Sequence, residues 1–416
     1  MARRYWMVVG TFLLTLLLYI DRICISVAKE PIVQDLNLSD EQMGWVLSVF
    51  ALGYALFQTP AGILADRLGP RRVLTAVVTF WSLFTALTGA AWNFTSMLVV
   101  RLLFGAGEAG AFPGISRAVF SWIPLQERGL VTGINFSGSR LGAAFALPFV
   151  AWLILTLGWR MSFVVLGAIG VVWAVVWYLI FRDDPTEHSG LSVTEQDFIR
   201  ANRQQVDPAV AKEPLRAGSL IGSKNMWLAM GQYFCSNFTF FFCLTWLFPH
   251  LKEKYALETL EAGFYASAPL VLGALGNWFG GWWIDRIYRQ GNWTLSRRLP
   301  AVVGFGLAAI GLVVSVYMQT PLTAIIFLSI AIFGADMTLS PSWSFAVDIG
   351  RQHAGAVSGT MNMAGNIGAF ITALAFPYMQ SWTGSEVPFF FVGAGLNVVA
   401  IFLWLFMQPD KQLEEY

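Results

Sequence analysis

The sequence predicts an all-α membrane protein with 12 transmembrane helices in two parallel six-helix halves related by a pseudo-two-fold axis. Three observations carry this. The composition is 56% hydrophobic and only 12% charged, where a soluble chain has about 25% charged residues. Apolar runs of about 20 residues, the length that crosses ~30 Å of hydrocarbon, recur along the whole chain. A Gly-x-x-x-Asp-Arg stretch at Gly62–Arg67 returns at Gly281–Arg286, six runs later.

The runs occupy 6–27, 42–65, 72–91, 96–119, 130–156, 161–181, 224–248, 262–284, 299–317, 322–346, 354–379 and 387–407. The first follows Arg3 and Arg4, as in a signal peptide. It is about 20 residues long, contains Asp21 and Arg22, and lacks a small-x-small cleavage site, so it reads as a span. Between the sixth and seventh runs the chain turns polar. The expected organisation is therefore an N-terminal half at 1–182, a cytoplasmic linker at 183–223 and a C-terminal half at 224–416. Within the linker, Ser192-x-x-Glu195 resembles a capping box and predicts a short surface helix around 192–204. Lys212 and Arg216 add to the linker's basic residues.

Lysine and arginine orient the spans. With the N-terminus inside, external loops hold Lys29, Arg160, Lys252 and Lys254. Internal loops hold Arg67, Arg71, Arg72, Arg128, Arg182, Arg286, Arg289, Arg297, Arg298 and Arg351 as well as the basic linker. Both termini are expected in the cytoplasm. Short loops favour a bacterial inner membrane, in which Asn37-Leu-Ser and Asn93-Phe-Thr carry no glycosylation meaning. The net charge of +1 points to no nucleic-acid partner. Cys24, Cys235 and Cys243 lie in apolar runs without metal-ligand spacing, and His188, His250 and His353 are scattered, so no metal or disulfide framework is expected.

Gly62-x-x-x-Asp66-Arg67-x-Gly69-x-Arg71-Arg72 resembles the signature loop of the major facilitator superfamily, with a weaker copy ending in Asp285-Arg286. Within it, Tyr19-Ile-Asp21-Arg22, Arg101 and Glu108 in "RLLFGAGEAGAFPG", and "WIPLQERG" at 122–129 resemble the anion:cation symporter family of galactonate, hexuronate and glucarate transporters. The Asp-Gly-x-Asp pattern of the aromatic-acid symporters is absent from the first span. The resemblance implies a major facilitator fold, Asp21 and Glu108 as proton sites, and Arg22, Tyr19 and Tyr54 around the substrate.

Six ionisable residues fall well inside the spans: Asp21, Arg22, Arg101, Glu108, Arg140 and Asp336, three of each sign. Charges at bilayer depth cost roughly 2.5–3.5 kcal/mol each on insertion scales and mark functional sites by default. Arg101 and Glu108 are two helical turns apart on one face, about 10 Å along the axis. Tyr19 with Arg22, and Tyr54 with Gln58, also share faces. An arginine fork binds a carboxylate through two parallel donors, and a carboxyl group in a dry cavity can carry a proton at neutral pH. Protonating Asp21 and Glu108 leaves the set at +2, ready for an anion; deprotonation restores neutrality.

Against this stands a structural reading in which Arg101–Glu108 or Arg22–Asp21 are buried pairs between helices. Arg140, in "SGSRLGAA", either meets the substrate or pairs with Glu108. Asp336 either partners a cavity arginine, binds a proton, or sits at a helix break before Pro341. Ser340 and Ser342 beside Trp343, and Asn362 and Asn366 on one face, offer uncharged groups for a polyol chain, or serve helix contacts. Gln232 and Asn237 are weaker candidates. Gly62, Asp66, Arg67, Arg71, Arg72, Asp285 and Arg286 are expected to form a latch of ion pairs between the halves.

The expected function is a proton-coupled symporter importing a small organic anion, a sugar acid first, by alternating access. The proton is the coupling ion, no further cofactor is implied, and a monomer suffices. An exporter or antiporter of the same fold is the alternative. A membrane-embedded enzyme or a transporter-like sensor fits less well, for want of a catalytic constellation or an output domain. In a background without the three native cysteines, Ser39→Cys should label from outside intact cells and Ser189→Cys should not. External labelling at 189 would overturn the orientation.

Overall fold

Backbone inside hydrocarbon has no partner but itself, so long apolar runs become helices. The computed structural model describes residues 2–205, 215 and 217–413, and helices cover all the apolar runs. In chain order the helices are α1 (Arg4–Val27), α2 (Lys29–Leu36), α3 (Asp40–Leu68), α4 (Pro70–Thr88), α5 (Phe94–Glu108), α6 (Ala111–Trp122), α7 (Arg128–Ile180), α8 (Val193–Asn202) and α9 (Ala217–Gly222). They continue with α10 (Lys224–Thr245), α11 (Leu247–Lys254), α12 (Thr259–Arg289), α13 (Trp293–Val316), α14 (Pro321–Met337), α15 (Leu339–Gly350), α16 (Ala354–Thr383) and α17 (Val387–Phe406). Among the described residues no disulfide forms. Lys212 and Arg216 of the expected linker lie outside the described residues.

α7 is two helices divided at Gly158, between the fifth and sixth runs as the sequence reading has it; its φ of 75° is a left-handed value that glycine adopts without a Cβ penalty. Continuity differs from the sequence reading in three places. The fourth run is interrupted at Ala109-Gly110, in a stretch weakened by Gly105 and Gly107. The tenth ends at Met337 and resumes at Leu339. Pro341 explains this, because its ring clashes with the carbonyl four residues back. The seventh bends by 57° between α10 and α11.

Caps set several starts. Ser39 and Gln42 form a capping box on α3, and Asn93 and Ser96 form one on α5, each cap worth about 1 kcal/mol. On α8, Ser192 accepts from the Glu195 amide, but the Glu195 side chain does not return the bond. Instead its carboxylate accepts from the Arg3 and Arg4 amides at 3.1 and 3.0 Å and pairs with the Arg4 guanidinium at 3.3 Å. The start of α1 carries the positive end of the helix dipole, and Glu195 satisfies it.

The chain divides into two compact units. Unit 1 holds Met1–Pro124, Gly138–Glu213 and Arg351–Thr360; unit 2 holds Leu125–Ser137, Pro214–Gly350 and Met361–Tyr416. Each packs its helices through glycines. In unit 1, Gly53 lies against the Leu102 carbonyl and Gly105 against that of Phe50, bringing α3 onto α5. In unit 2, Gly276 lies against the Phe333 carbonyl and brings α12 onto α14. Small residues let backbones approach, which is how helices associate when lipid is as apolar as leucine.

The repeated Gly-x-x-x-Asp-Arg stretches make the same contact once in each unit. Gly62 touches the backbone of Gly355, and the Asp66 carboxylate accepts from the Gly355 and Ala356 amides, both at 2.8 Å. Gly281 touches the backbone of Gly129, and Asp285 accepts from the Gly129 and Leu130 amides, both at 2.9 Å. Each aspartate thus caps the first turn of another helix, α16 or α7. Of the residues expected in the latch, the two aspartates thus bond to backbone amides. Asp66 also forms an ion pair with Arg117 at 3.8 Å. Arg67, Arg72 and Arg286 are exposed, and the Arg71 amide donates to Asp183 at 2.8 Å while its guanidinium lies over the Tyr178 ring. The physical reason is that the aspartate, near the end of its helix, meets amide dipoles with no partner of their own.

Unit 2 also buries an ionic cluster absent from the sequence reading. Asp348 accepts from Arg128, from Arg297 Nε at 2.8 Å and from Trp293 Nε1 at 3.0 Å, with all three charged side chains fully buried. Removing the shared anion leaves two buried guanidinium groups uncompensated, a loss of about 3–5 kcal/mol. Asp348→Ala is therefore expected to lower the thermal unfolding midpoint in detergent strongly. A midpoint equal to the parent's would show that the cluster contributes nothing to the fold.

Candidate substrate and proton site

Three helices of unit 1 bring charges and aromatic rings together. On α1, Tyr19 and Arg22 lie three apart and share a face, while Asp21 points about 100° away. On α3, Phe50, Tyr54 and Gln58 recur every four residues. On α5, Arg101, Phe104 and Glu108 do so at three and four.

Arg22 Nε donates to Glu108 Oε2 at 2.6 Å. Its guanidinium carbon lies 4.4 Å from the Tyr54 ring centroid, 5.1 Å from Tyr19 and 5.2 Å from Phe50. Asp21 turns the other way, and its Oδ2 accepts from Trp81 Nε1 at 3.1 Å. Arg101 lies over Phe104 at 4.5 Å and Phe50 at 5.4 Å. Cation–π contacts of this kind reach about 2 kcal/mol when desolvated. Both pairs offered by the structural reading are corrected. Arg22 does not pair with Asp21, because consecutive residues on a helix diverge. Arg101 does not pair directly with Glu108, because Arg22 from α1 takes that carboxylate.

The cluster keeps bonding capacity. Arg22 Nη2, Glu108 Oε1, Asp21 Oδ1, Arg101 Nε and both polar atoms of Gln58 are buried and have no hydrogen-bond partner. Fully buried groups rarely stand so; three of these atoms are donors (Arg22 Nη2, Arg101 Nε and Gln58 Nε2) and three are acceptors.

The other candidates divide. Arg140 is buried, and its neighbours Gly138 and Gly142 pack directly on the α1 backbone at Phe12 and Leu16. In unit 2, Asp336 is buried against Gly273 near the end of α14. Ser340 donates to the Asn277 carbonyl at 3.3 Å; Ser342 donates to Gln232 Oε1 at 3.0 Å. Asn366 returns to the Asn362 carbonyl one turn back at 2.8 Å, and Asn237 to that of Tyr233 at 3.0 Å. For the two serines this is the helix-contact use. Trp343 donates to the Tyr233 hydroxyl at 2.9 Å and packs against Phe136 with ring centroids 5.1 Å apart.

Sequence reasoning missed Phe50, Trp81, Phe104 and Tyr233. Phe50 was findable, since it extends the Tyr54–Gln58 stripe by one turn. Trp81 was not, because nothing marks one indole among 18 as the partner of a particular carboxylate.

Residues 11–373 match the Major Facilitator Superfamily. The chain belongs to that superfamily. A probable sulfoacetate transporter of Cupriavidus necator is 34% identical over 97% of this chain and 94% of its own length. A probable galactarate/D-glucarate transporter of Escherichia coli is 32% identical over 99% of this chain and 96% of its own. These relatives fit the anion:cation symporter family that the first- and fourth-span motifs resemble. The fold of the Escherichia coli fucose:proton symporter superposes with a TM-score of 0.73 at 17% identity, covering 96% of this chain and 98% of that one. This major facilitator is thus a multi-pass membrane transporter for a small organic substrate, not an enzyme.

Phe50 offers its ring to both Arg22 and Arg101. Phe50→Leu keeps apolar volume but removes both faces. It is expected to raise the substrate concentration for half-maximal uptake about fivefold, with Phe50→Tyr close to the parent. A Phe50→Leu transporter indistinguishable from the parent would remove the aromatic face from the site.

Proposed function

We propose that this transporter is a proton-coupled symporter that imports a small organic anion, a sugar acid (hexonate, hexuronate or aldarate), by alternating access. It works as a monomer in a bacterial inner membrane, with both termini cytoplasmic. One observation carries the reading: the 2.6 Å contact between Arg22 and Glu108. The group suited to a substrate carboxylate and a group suited to a proton are bonded to each other.

The contact makes binding and protonation exchange partners. Ionised Glu108 occupies Arg22. A proton on Glu108 cancels that attraction, and Arg22 Nε and Nη2 become a fork for the substrate's carboxylate. For a monoanion, one proton on Glu108 enters as the anion enters and the buried charge does not change; for a dianion such as an aldarate, a second proton on Asp21 keeps the balance that hydrocarbon requires. Losing the proton re-forms the internal pair and expels the anion. Tyr19, Tyr54 and Phe50 hold the guanidinium in place throughout. Asp21, bonded to Trp81, is a second carboxyl able to take a proton, and Arg101 and Gln58 offer further donors.

The family and the relatives named for galactarate, D-glucarate and sulfoacetate support an acid as substrate. The last favours a second reading, a short sulfonated carboxylate, which the same fork would hold. Asp66 and Asp285, each capping a helix far away in sequence, are suited to a latch whose bonds form and break as the transporter rocks.

The amides Asp21→Asn and Glu108→Gln mimic the protonated side chains. In right-side-out vesicles each should still exchange external for internal substrate. Neither should concentrate it under an imposed pH gradient, because the proton's free energy is no longer linked to movement. If both still accumulate substrate as the parent does, coupling rests on another carboxylate, and Asp336 is the next to test.

A further inference from the structure

The start of α1 and the end of α7 leave a groove of about 280 Å³ between them, all within unit 1. Its floor is an aromatic ladder. Trp173 and Trp177 on α7 and Phe181 just past its end recur every four residues and stack with ring centroids 5.1 and 4.2 Å apart. Trp122 continues the ladder against Phe181 at 5.4 Å. The walls are open and apolar, with Trp6 64% exposed and Ile180 56%. In a membrane protein this surface faces acyl chains.

Two features exceed what a wall against plain hydrocarbon needs. Trp177 is only 5% exposed, and its Nε1 has no hydrogen-bond partner. Its neighbours are satisfied: Trp173 Nε1 donates to the Gly10 carbonyl at 3.0 Å and Trp122 Nε1 to that of Arg182 at 2.8 Å. An unmet N–H at this depth is costly, so an occupant bearing an acceptor is favoured over a bare chain. The second feature is charge. Arg3 lines the groove beside His188, its Nη1 lying over Gly190. Arg4 is engaged by Glu195, whereas the Arg3 guanidinium has no carboxylate partner among the described residues.

We propose that the groove binds one anionic phospholipid of the leaflet on the side of the termini, the cytoplasmic leaflet under the orientation proposed above. An acyl chain lies along Trp173, Trp177 and Phe181. An ester oxygen accepts from Trp177 Nε1, and the phosphate meets Arg3. Basic residues beside hydrophobic clefts select anionic lipids in this way. The site lies apart from Arg22 and Glu108, so its failure would leave the transport reading untouched.

The test is native mass spectrometry of the purified protein in micelles containing phosphatidylglycerol and phosphatidylcholine of identical chains at equal concentration. The parent is expected to retain one phosphatidylglycerol, about fivefold over phosphatidylcholine. Arg3→Ala, at an exposed position that tolerates truncation, should bring the ratio near one, and Arg3→Lys should preserve it. Trp177→Phe keeps the ladder, removes the N–H and should weaken retention of both lipids alike. A parent without preference, or an Arg3→Ala ratio equal to the parent's, would overturn the proposal and leave only unspecific boundary lipid.

Discussion

A charge inside hydrocarbon persists only where another charge, a dipole or an aromatic face meets it, and unit 1 is organised by that constraint. Arg22 meets Glu108 and three rings. Arg101 meets two rings, Asp21 an indole N–H, and Asp66 the unpaired amides of a helix start. Stripping one partner from a buried pair costs more than the pair contributes, because the remaining charge is left bare. In the cycle proposed above, transport therefore exchanges partners and does not remove them. Arg22 and Glu108 are suited to exchange because each already holds one atom without a bond.

The two units use the same device at the ends of their helices. A glycine lets one backbone touch another, and an aspartate four residues later caps the helix that follows the contact. The sequence repeat at Gly62 and Gly281 is thus a repeat of one packing solution. Unit 2 adds Arg128, Arg297 and Trp293 around Asp348, where unit 1 sets Arg117 near Asp66. The ordinary chemistry of helix termini accounts for both aspartates, and Arg117 adds an ion pair to Asp66.

The long apolar helices were legible because bilayer thickness fixes run length, and membrane backbone has few alternatives to helix. Their interruptions were less so. Pro341 signalled a break, but the end of α14 at Met337 follows from the reach of the proline ring, and nothing in the fourth run fixed its interruption at Ala109-Gly110. The charged residues of the site were legible because any charge in an apolar run stands out. Their pairing was not. Arg101 and Glu108 share a helix face, yet Arg22 wins the carboxylate, because α1 approaches α5 in space and sequence spacing reports only faces of a single helix. Aromatic partners such as Trp81 vanish into a composition that is 15% aromatic.

The central claim is that a proton on Glu108 and an anion on Arg22 arrive together. Proton uptake on binding tests it directly. Purified parent protein in weakly buffered detergent solution, with a pH indicator, would be mixed with a saturating sugar acid such as galactarate at near-neutral pH. The expected result is net uptake of protons with binding, reduced by the Glu108 share in Glu108→Gln although that variant still binds. Binding with no uptake in the parent, or with equal uptake in Glu108→Gln, would contradict the exchange.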